Sequence, residues 1–311
     1  MTVATMRIGI DLGGTKIEIV ALDADNRIRL RERIFAPRGD YAATIQAVRD
    51  LVLSAETKLG ETARIGIAVP GTISPATGLM KNANSQWLNG KPLDRDLQRV
   101  LDRDIRIAND ANCFALSEAV DGAGKEVRTV FGVILGTGVG GGIVIDRNIV
   151  TGAHAIAGEW GHNQIPYMRK EERSSTACYC GKYGCNETFL SGAGLAADYI
   201  QSTGEKISPE DIVKLAVNSD VAARATLDRY VDRLARALSC VINILDPDVI
   251  VLGGGLSNID ALYGEVPRHL SEHVFSDICT TPILRNAHGD SSGVRGAAWL
   301  WEIEESAQRF V

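Results

Sequence analysis

Apolar and polar positions along the chain fall into two periods. Residues 7–22, RIGIDLGGTKIEIVAL, read as a strand, a tight Gly-Gly turn and a second strand, with Ile17, Ile19 and Ala21 alternating with Glu18 and Val20. Residues 41–59 place Ile45, Val48, Leu51, Val52, Ala55 and Leu59 at helical spacing. RIGIAVPG (64–71) predicts a strand ending at Pro70-Gly71, and IRIANDAN (105–112) a strand that runs into a polar turn before a helical CFALSEAV. Residues 227–245 form a long amphipathic helix, stopped by Asp246-Pro247-Asp248, and VIVL (249–252) is a buried strand followed by GGGL. A last helix is predicted from about Gly293 to Glu305, and MRKEERSST (168–176) reads as an exposed loop.

One segment repeats the opening design. In VFGVILGTGVGGGIVID (130–146) an apolar strand again meets a Gly/Thr turn and a second apolar strand follows. The echo predicts two similar lobes facing each other across a cleft.

Composition narrows the setting. A chain of 311 residues exceeds one typical domain, and 45% hydrophobic with 23% charged residues is ordinary for a globular protein. A net charge of −6 argues against a nucleic-acid surface, and no apolar run approaches a membrane span. The start, MTVATMRIGIDLGG, shows no secretion signal, so a cytoplasmic setting is expected. There disulfides are disfavoured, and clustered cysteines more often bind metal or do redox work. Three of the six cysteines fall in CYCGKYGC (178–185). The spacing C-x-C-x4-C is not the C-x-x-C of a redox pair, and three thiolates leave a tetrahedral zinc one ligand short. Five histidines, at 154, 162, 269, 273 and 288, are available to complete it. Gly181 and Gly184 supply the tight turning that a small metal knot needs. Cys113, Cys240 and Cys279 read as ordinary buried thiols.

Three glycine turns each follow an apolar strand: Gly13-Gly14-Thr15, Gly136-Thr137-Gly138 and Gly253-Gly254-Gly255. Glycines let backbone N–H groups approach an anion closely; the alternative is that they only make hairpin turns. Thr15 and Thr137 add hydroxyl donors, and Lys16 adds charge if its side chain faces the anion. GTGVGG (136–141) formally matches the dinucleotide fingerprint, but a strand rather than a helix follows it. GIDLGGTK lacks the Gly-Lys-Ser/Thr order of a P-loop.

DLGGTK (11–16), GxxxPG (66–71), NDAN (109–112), GTGxGGG (136–142), GEWGH (158–162), CYCGKYGCNE (178–187) and LDPDVIVLGGG (245–255) together resemble the ROK family of bacterial sugar kinases and repressors. Within it, KNANSQWLNGKPL (81–93), NDANCFALSEAVDGA (109–123) and HGDSSGVRGAAWLW (288–301) look most like fructokinases of the manno(fructo)kinase type. The resemblance implies an α/β fold of two actin-like, hexokinase-like (ribonuclease H-like) domains around a cleft. The expected division is residues 1–117 with 293–311 as a small lobe, and 118–292 as a larger lobe carrying the cysteine loop.

The implied activity is ATP-dependent phosphorylation of a hexose at its 6-hydroxyl, with D-fructose the first expectation and glucose, mannose or an N-acetyl-hexosamine as alternatives. A third reading is a sugar-sensing regulator of the same family. Such repressors carry an N-terminal helix-turn-helix domain, for which a first strand near Arg7 leaves no room. The expected partners are a sugar and a nucleotide, with no nucleic acid and no membrane; monomer and homodimer stay open.

By residue type alone, Asp110 is either a general base in a polar turn or, with Asn109, the cap of the following helix. The resemblance favours Asp110 as base, with Asn109 beside it on the sugar. It implies sugar contacts for Glu159, His162 and Glu187, with Asn84 and the Gly71 backbone as weaker candidates. Asp11 is expected to orient Mg²⁺ through water, against the alternative of a buried Asp bonding the turn N–H groups. Gly13, Gly14, Thr15, Lys16, Gly136, Thr137 and Gly138 are expected at the phosphates, and Gly254 and Gly255 on the adenosine side of ATP. The resemblance also selects His162 as the fourth zinc ligand with Cys178, Cys180 and Cys185. That makes a closed, structural Zn²⁺ site, in which the second ring nitrogen of His162 is free for a sugar hydroxyl.

Overall fold

The computed structural model of the chain describes residues 6–173, 177–289 and 292–301. Two five-stranded sheets organise it. The first contains β1 (Arg7–Leu12), β2 (Lys16–Leu22), β3 (Ile28–Phe35), β4 (Arg64–Val69) and, beyond a small hairpin of β5 (Thr72–Ile73) and β6 (Met80–Lys81), β7 (Ile105–Asn109). Its order is β3-β2-β1-β4-β7, with β1, β4 and β7 parallel. The second contains β8 (Thr129–Leu135), β9 (Val139–Ile145), β10 (Asn148–Ile149), β11 (Val249–Gly253) and β12 (Ile283–Arg285), in the order β10-β9-β8-β11-β12. Here β8, β11 and β12 are parallel, so each sheet opens with an antiparallel hairpin and continues as a parallel sheet. The echo in the sequence is this shared plan, and the α/β architecture of two lobes is as expected.

Helices α1 (Tyr41–Leu59) and α2 (Leu93–Leu101) belong to the first half of the chain. α1 starts where the Asp40 carboxylate accepts the Ala43 N–H and ends at Gly60, whose φ of 74° is the left-handed conformation glycine tolerates. α3 (Asp110–Val120) follows β7 directly. The second lobe carries α4 (Asn186–Leu190), α5 (Gly192–Thr203), α6 (Pro209–Val217), α7 (Val221–Leu245) and α8 (Ala261–Leu270). α9 (Ser292–Ala298) is the last described helix; the predicted continuation beyond Trp301 lies outside the described residues.

α9 lies against β1 and β4, α3 against β8 and β9, and the two helices against each other. Glycine permits each approach. A Cβ at Gly9 would lie 2.0 Å from the Val294 carbonyl oxygen, and one at Gly66 1.8 Å from that of Ala297. On the other side, Gly132 faces Ala115, and Gly142 would meet the Ala111 carbonyl at 2.5 Å. Between the helices, Gly296 meets the Cys113 carbonyl at 1.7 Å. Covered on both faces, β2 buries Glu18 and Val20 as well as Ile17, Ile19 and Ala21, so its alternation does not mark a solvent face. The far end of α3 is tied down by charge. The fully buried Glu118 accepts the N–H groups of Ala123 and Ala287 and the Ser292 hydroxyl, while Asp121 pairs with Arg295 and His288.

In the 168–176 stretch Arg169, Lys170, Glu171 and Arg173 are exposed as expected, but Glu172 is not. Glu172 is 3% exposed and accepts from Arg233 and Arg236 of α7, both buried. Burial pushes its carboxyl up, but the hydrogen bonds from the two guanidinium groups outweigh that and hold it below the usual range. Arg236 also donates to the Pro166 and Tyr167 carbonyls, so the segment ahead of the cysteines is pinned to α7; residues 174–176 lie outside the description. Cys240 and Cys279 are half-buried rather than buried. Among the described residues no helix is long and apolar enough to cross a membrane.

Gly296→Ala is expected to cost about 3 kcal/mol in urea unfolding, because a methyl group overpacks a backbone contact that no rotamer can relieve. Gly264→Ala, in α8 with open space around it, should be neutral or stabilising by up to about 1 kcal/mol. A loss below about 1 kcal/mol for Gly296→Ala would mean that α3 and α9 part without cost.

Candidate active site

In both sheets the candidate residues gather where parallel strands end, the edge at which open α/β sheets present ligand-binding loops. Asp11 is the penultimate residue of β1, Pro70-Gly71 follow β4, Asn109-Asp110 join β7 to α3, Gly136–Gly138 follow β8, and Gly254-Gly255 follow β11. A cavity of about 260 Å³ is lined by Gly71, Asn84, Asn109, Asp110, Glu159, His162 and Glu187, the seven residues expected at a sugar, together with Thr137 and Gly138. Asn82 and Tyr179 also line it; neither was singled out from sequence, although Asn82 lies in NANSQW and Tyr179 between two cysteines. Gly13, Gly14, Thr15, Lys16, Gly136, Gly254 and Gly255 lie outside this cavity. A larger hollow, about 530 Å³, lies on the outer side of α7, but it is crossed by ion pairs of Arg224 with Asp228 and Glu265 and of Arg169 with Asp232. Most of the charges that line it are paired, and no strand end opens into it.

At the 109–110 turn the helix cap is present, and it leaves the Asp110 carboxylate at the cavity. Asn109 is the N-cap of α3, its side-chain oxygen accepting the Ala111 N–H at 2.9 Å, while its amide donates to the Gly71 carbonyl at 3.3 Å. Asp110 occupies the first helical position; its Oδ1 shares the Ala111 N–H at 2.9 Å and the carboxylate faces the cavity. Burial raises its pKa to about 6, with the negative charge of Glu159 adding to the rise and the hydrogen bonds to Ala111 and Asn109 opposing it. Asp11 is raised to about 7, by burial first and then by Asp110 and Glu18. Among the described residues no turn N–H bonds its carboxylate, so the buried-cap alternative for Asp11 finds no support.

The glycine turns are bounded by specific neighbours. A Cβ at Gly138 would lie 2.6 Å from Glu187 Oε2, and the same oxygen accepts the Val139 N–H at 2.9 Å. Gly254, with φ of 80°, sits against the Leu135 carbonyl, which brings the turns after β8 and β11 side by side. Gly14 approaches the Ser85 hydroxyl, so the first turn abuts the Asn84 segment. Thr15 and Lys16 are exposed. Lys81 of β6 donates to the His154 carbonyl at 2.7 Å, linking the first half of the chain to the loop that leads to Glu159.

His162, Cys178, Cys180 and Cys185 converge, with one ligand atom from each, all within 4.8 Å of one another. Cys178 Sγ lies 3.5 Å from His162 Nδ1, and Cys180 Sγ 3.6 Å from Cys185 Sγ. A tetrahedron with Zn–S of about 2.3 Å and Zn–N of about 2.0 Å has edges of about 3.5–3.8 Å, so this donor set fits zinc. Gly181 and Gly184 make the turns, with φ of 85° and 74°. The second ring nitrogen of His162 is not free as expected: Nε2 lies 2.9 Å from the Tyr179 hydroxyl. Immediately after Cys185, Asn186 binds the Trp160 and Asn163 carbonyls, which ties Glu187 to the segment bearing Glu159 and His162.

With this geometry the comparisons with known proteins agree. A model of the ROK family matches residues 7–304. The N-acetyl-D-glucosamine kinase of Escherichia coli O6:H1 is 40% identical over 299 residues, 95% of this chain and 99% of that protein. Among solved structures, the ROK hexokinase from Thermus thermophilus superposes with a TM-score of 0.83 at 25% identity, over 94% of this chain and 96% of that one. A ROK family glucokinase from Streptomyces griseus, solved with glucose and AMPPNP, shares the fold with a TM-score of 0.76 at 24% identity, over 95% and 98% of the two chains. The curated relative changes the expected acceptor. It phosphorylates N-acetyl-D-glucosamine, which stood among the alternatives, and fructose loses its first place.

The purified protein is expected to contain about one zinc per chain by plasma emission spectrometry, and Cys185→Ser less than half of that. A fully folded, sugar-binding protein free of zinc would refute a structural metal here.

Proposed function

Because this chain is a sugar kinase of the ROK family, we propose that it transfers the γ-phosphoryl group of ATP to the 6-hydroxyl of a hexose, with N-acetyl-D-glucosamine as the preferred acceptor. One observation carries the chemistry: Asp110, Glu159, His162 and Glu187 share a cavity beside the Gly136–Gly138 turn. The acceptor preference rests on a relative alike over nearly the whole of both chains.

Asp110 accepts the proton of the 6-hydroxyl as that oxygen attacks the γ-phosphorus; the bond from phosphorus to the bridging oxygen breaks and ADP departs. A pKa near 6 suits the task, since the group is ionised at neutral pH yet basic enough to take a proton. Glu159 and Glu187 accept from other sugar hydroxyls and orient the acceptor, and Asn84, Asn109 and the Gly71 backbone complete its surroundings. The glycine turns at 13–15 and 136–138 offer N–H groups to phosphate, and Gly254 and Gly255 border the nucleotide. Asp11 would hold magnesium through water; when bound, that ion neutralises phosphate charge and keeps Asp11 ionised. His162, Cys178, Cys180 and Cys185 would hold zinc in a closed shell, which supplies rigidity to the Glu187 segment and no reactive water.

A coupled ADP assay over N-acetyl-D-glucosamine, D-glucose, D-mannose and D-fructose should give the highest kcat/KM for the first. Turnover of none of them would remove the kinase reading, and a clear preference for fructose would remove the acceptor. Asp110→Asn should lower kcat by at least about 10²-fold, while wild-type kcat/KM for the sugar should fall tenfold per pH unit below about 6.

The same group gives a stability test. Its folded pKa lies above the unfolded value, so the ionised carboxylate costs stability. The cost is absent below the unfolded pKa of about 4, grows as pH rises and is complete above about 6. Asp110→Asn should therefore stabilise the protein at pH 8 by up to about 3 kcal/mol, with a gain that vanishes toward pH 4. A variant less stable than wild type at pH 8 would contradict the burial argument.

A further inference from the structure

We propose that Tyr179 determines acceptor specificity: its hydroxyl, held by His162, stands in for the imidazole as the donor that the sugar meets. The inference rests on the sugar-kinase reading and concerns a residue to which that reading gives no part.

Three observations lead to it. His162 turns Nδ1 toward the sulfurs, 3.5 Å from Cys178 Sγ. An imidazole whose Nδ1 faces a metal carries its proton on Nε2, and Nε2 lies 2.9 Å from the Tyr179 hydroxyl. The phenol oxygen therefore accepts from His162 and keeps its own hydrogen for a third group.

The backbone fixes where that hydrogen can go. Cys178 and Cys180 flank Tyr179 and both belong to the thiol cluster, while the Gly181 N–H donates to the Cys178 carbonyl at 2.9 Å and closes the turn. With both neighbours committed to the cluster, Tyr179 is displayed on the other side, where it lines the sugar cavity. Its ring meets the His162 ring edge-on, with centroids 5.1 Å apart at 86°.

Exposure and chemistry agree. Tyr179 is 77% exposed, so the core does not account for it; Tyr167 and Tyr183 are similarly exposed but do not line the cavity. The carboxylates of Asp110, Glu159 and Glu187 accept hydrogen bonds and so read sugar O–H groups. A tyrosine O–H reads the opposite, an acceptor atom, and an amide carbonyl is a better acceptor than a hydroxyl. An acetamido sugar brings such a carbonyl, and its methyl group suits an aromatic face.

Calorimetric titration of sugar into the zinc-loaded protein, without nucleotide, tests this apart from turnover. Tyr179→Phe should weaken N-acetyl-D-glucosamine binding about tenfold and D-glucose less than threefold, with zinc content and the KM for ATP unchanged. Tyr179→Ala should widen that ratio further. Equal weakening of both sugars would reduce Tyr179 to a support for His162 and overturn the proposal, as would unchanged binding of both. A wild-type protein that binds no acetamido sugar overturns it together with the acceptor reading. The expected binding shift without turnover of any sugar would uphold it while the kinase reading fell.

Discussion

Backbone-to-backbone packing of α3 against α9 is the constraint on which the remaining structure depends. Each sheet presents glycines to one of these helices, Gly9 and Gly66 to α9 and Gly132 and Gly142 to α3, and Gly296 lets the helices touch. Without side chains as spacers, the distance between the sheets is set by main-chain atoms, which have no rotamers with which to adjust. The strand ends that bear Asp11, Asp110 and the Gly136–Gly138 turn inherit that spacing. Glu118, buried at the far end of α3 and bonded to the chain around Ser292, resists sliding of one helix along the other.

Within that frame the site concentrates negative charge where solvent is scarce. Burial raises the pKa of both Asp11 and Asp110; the charge of Asp110 adds to the rise at Asp11, and that of Glu159 to the rise at Asp110. The N-terminus of α3 and the Ala111 N–H offset part of the cost, which leaves the Asp110 pKa at about 6. The raised pKa values of Asp11 and Asp110 mark an electrostatic cost already present in the fold.

The side of the cavity that bears Glu159, His162 and Glu187 is held by other means. Its segments are largely irregular, and loops of that kind need external support. The thiol and imidazole donors bring His162, Cys178, Cys180 and Cys185 to one point, Asn186 ties Glu187 to the Trp160 segment, and buried Glu172 with Arg233 and Arg236 anchors the approach to the cysteines. Such a fully paired buried network adds little net stability over an apolar core, but losing one member would leave an uncompensated charge. It therefore specifies where the segment must lie.

Much of this was legible in the sequence, for identifiable reasons. Strand–turn–strand patterns at 7–22 and 130–146 carried their own period and glycine punctuation, and α1 was readable from Tyr41 to Leu59 because its apolar stripe meets one core. The Cys3His set was named through the family resemblance, and the spacing of CYCGKYGC agreed with it. Other features depend on contacts between residues far apart, which no local pattern encodes. Burial of Glu172 follows from arginines more than 60 positions away. Burial of both faces of β2 follows from α9 at the other end of the chain. Pairing of His162 Nε2 with Tyr179 was decided by the fold of the cysteine loop, which spends one ring nitrogen on the sulfurs and hands the other to a neighbour. Sequence alone thus determined which elements and reactive groups exist. Only the tertiary structure decided which groups face one another, because that depends on main-chain spacing set by glycines at four separate strands and on charges that find partners only once the lobes are assembled.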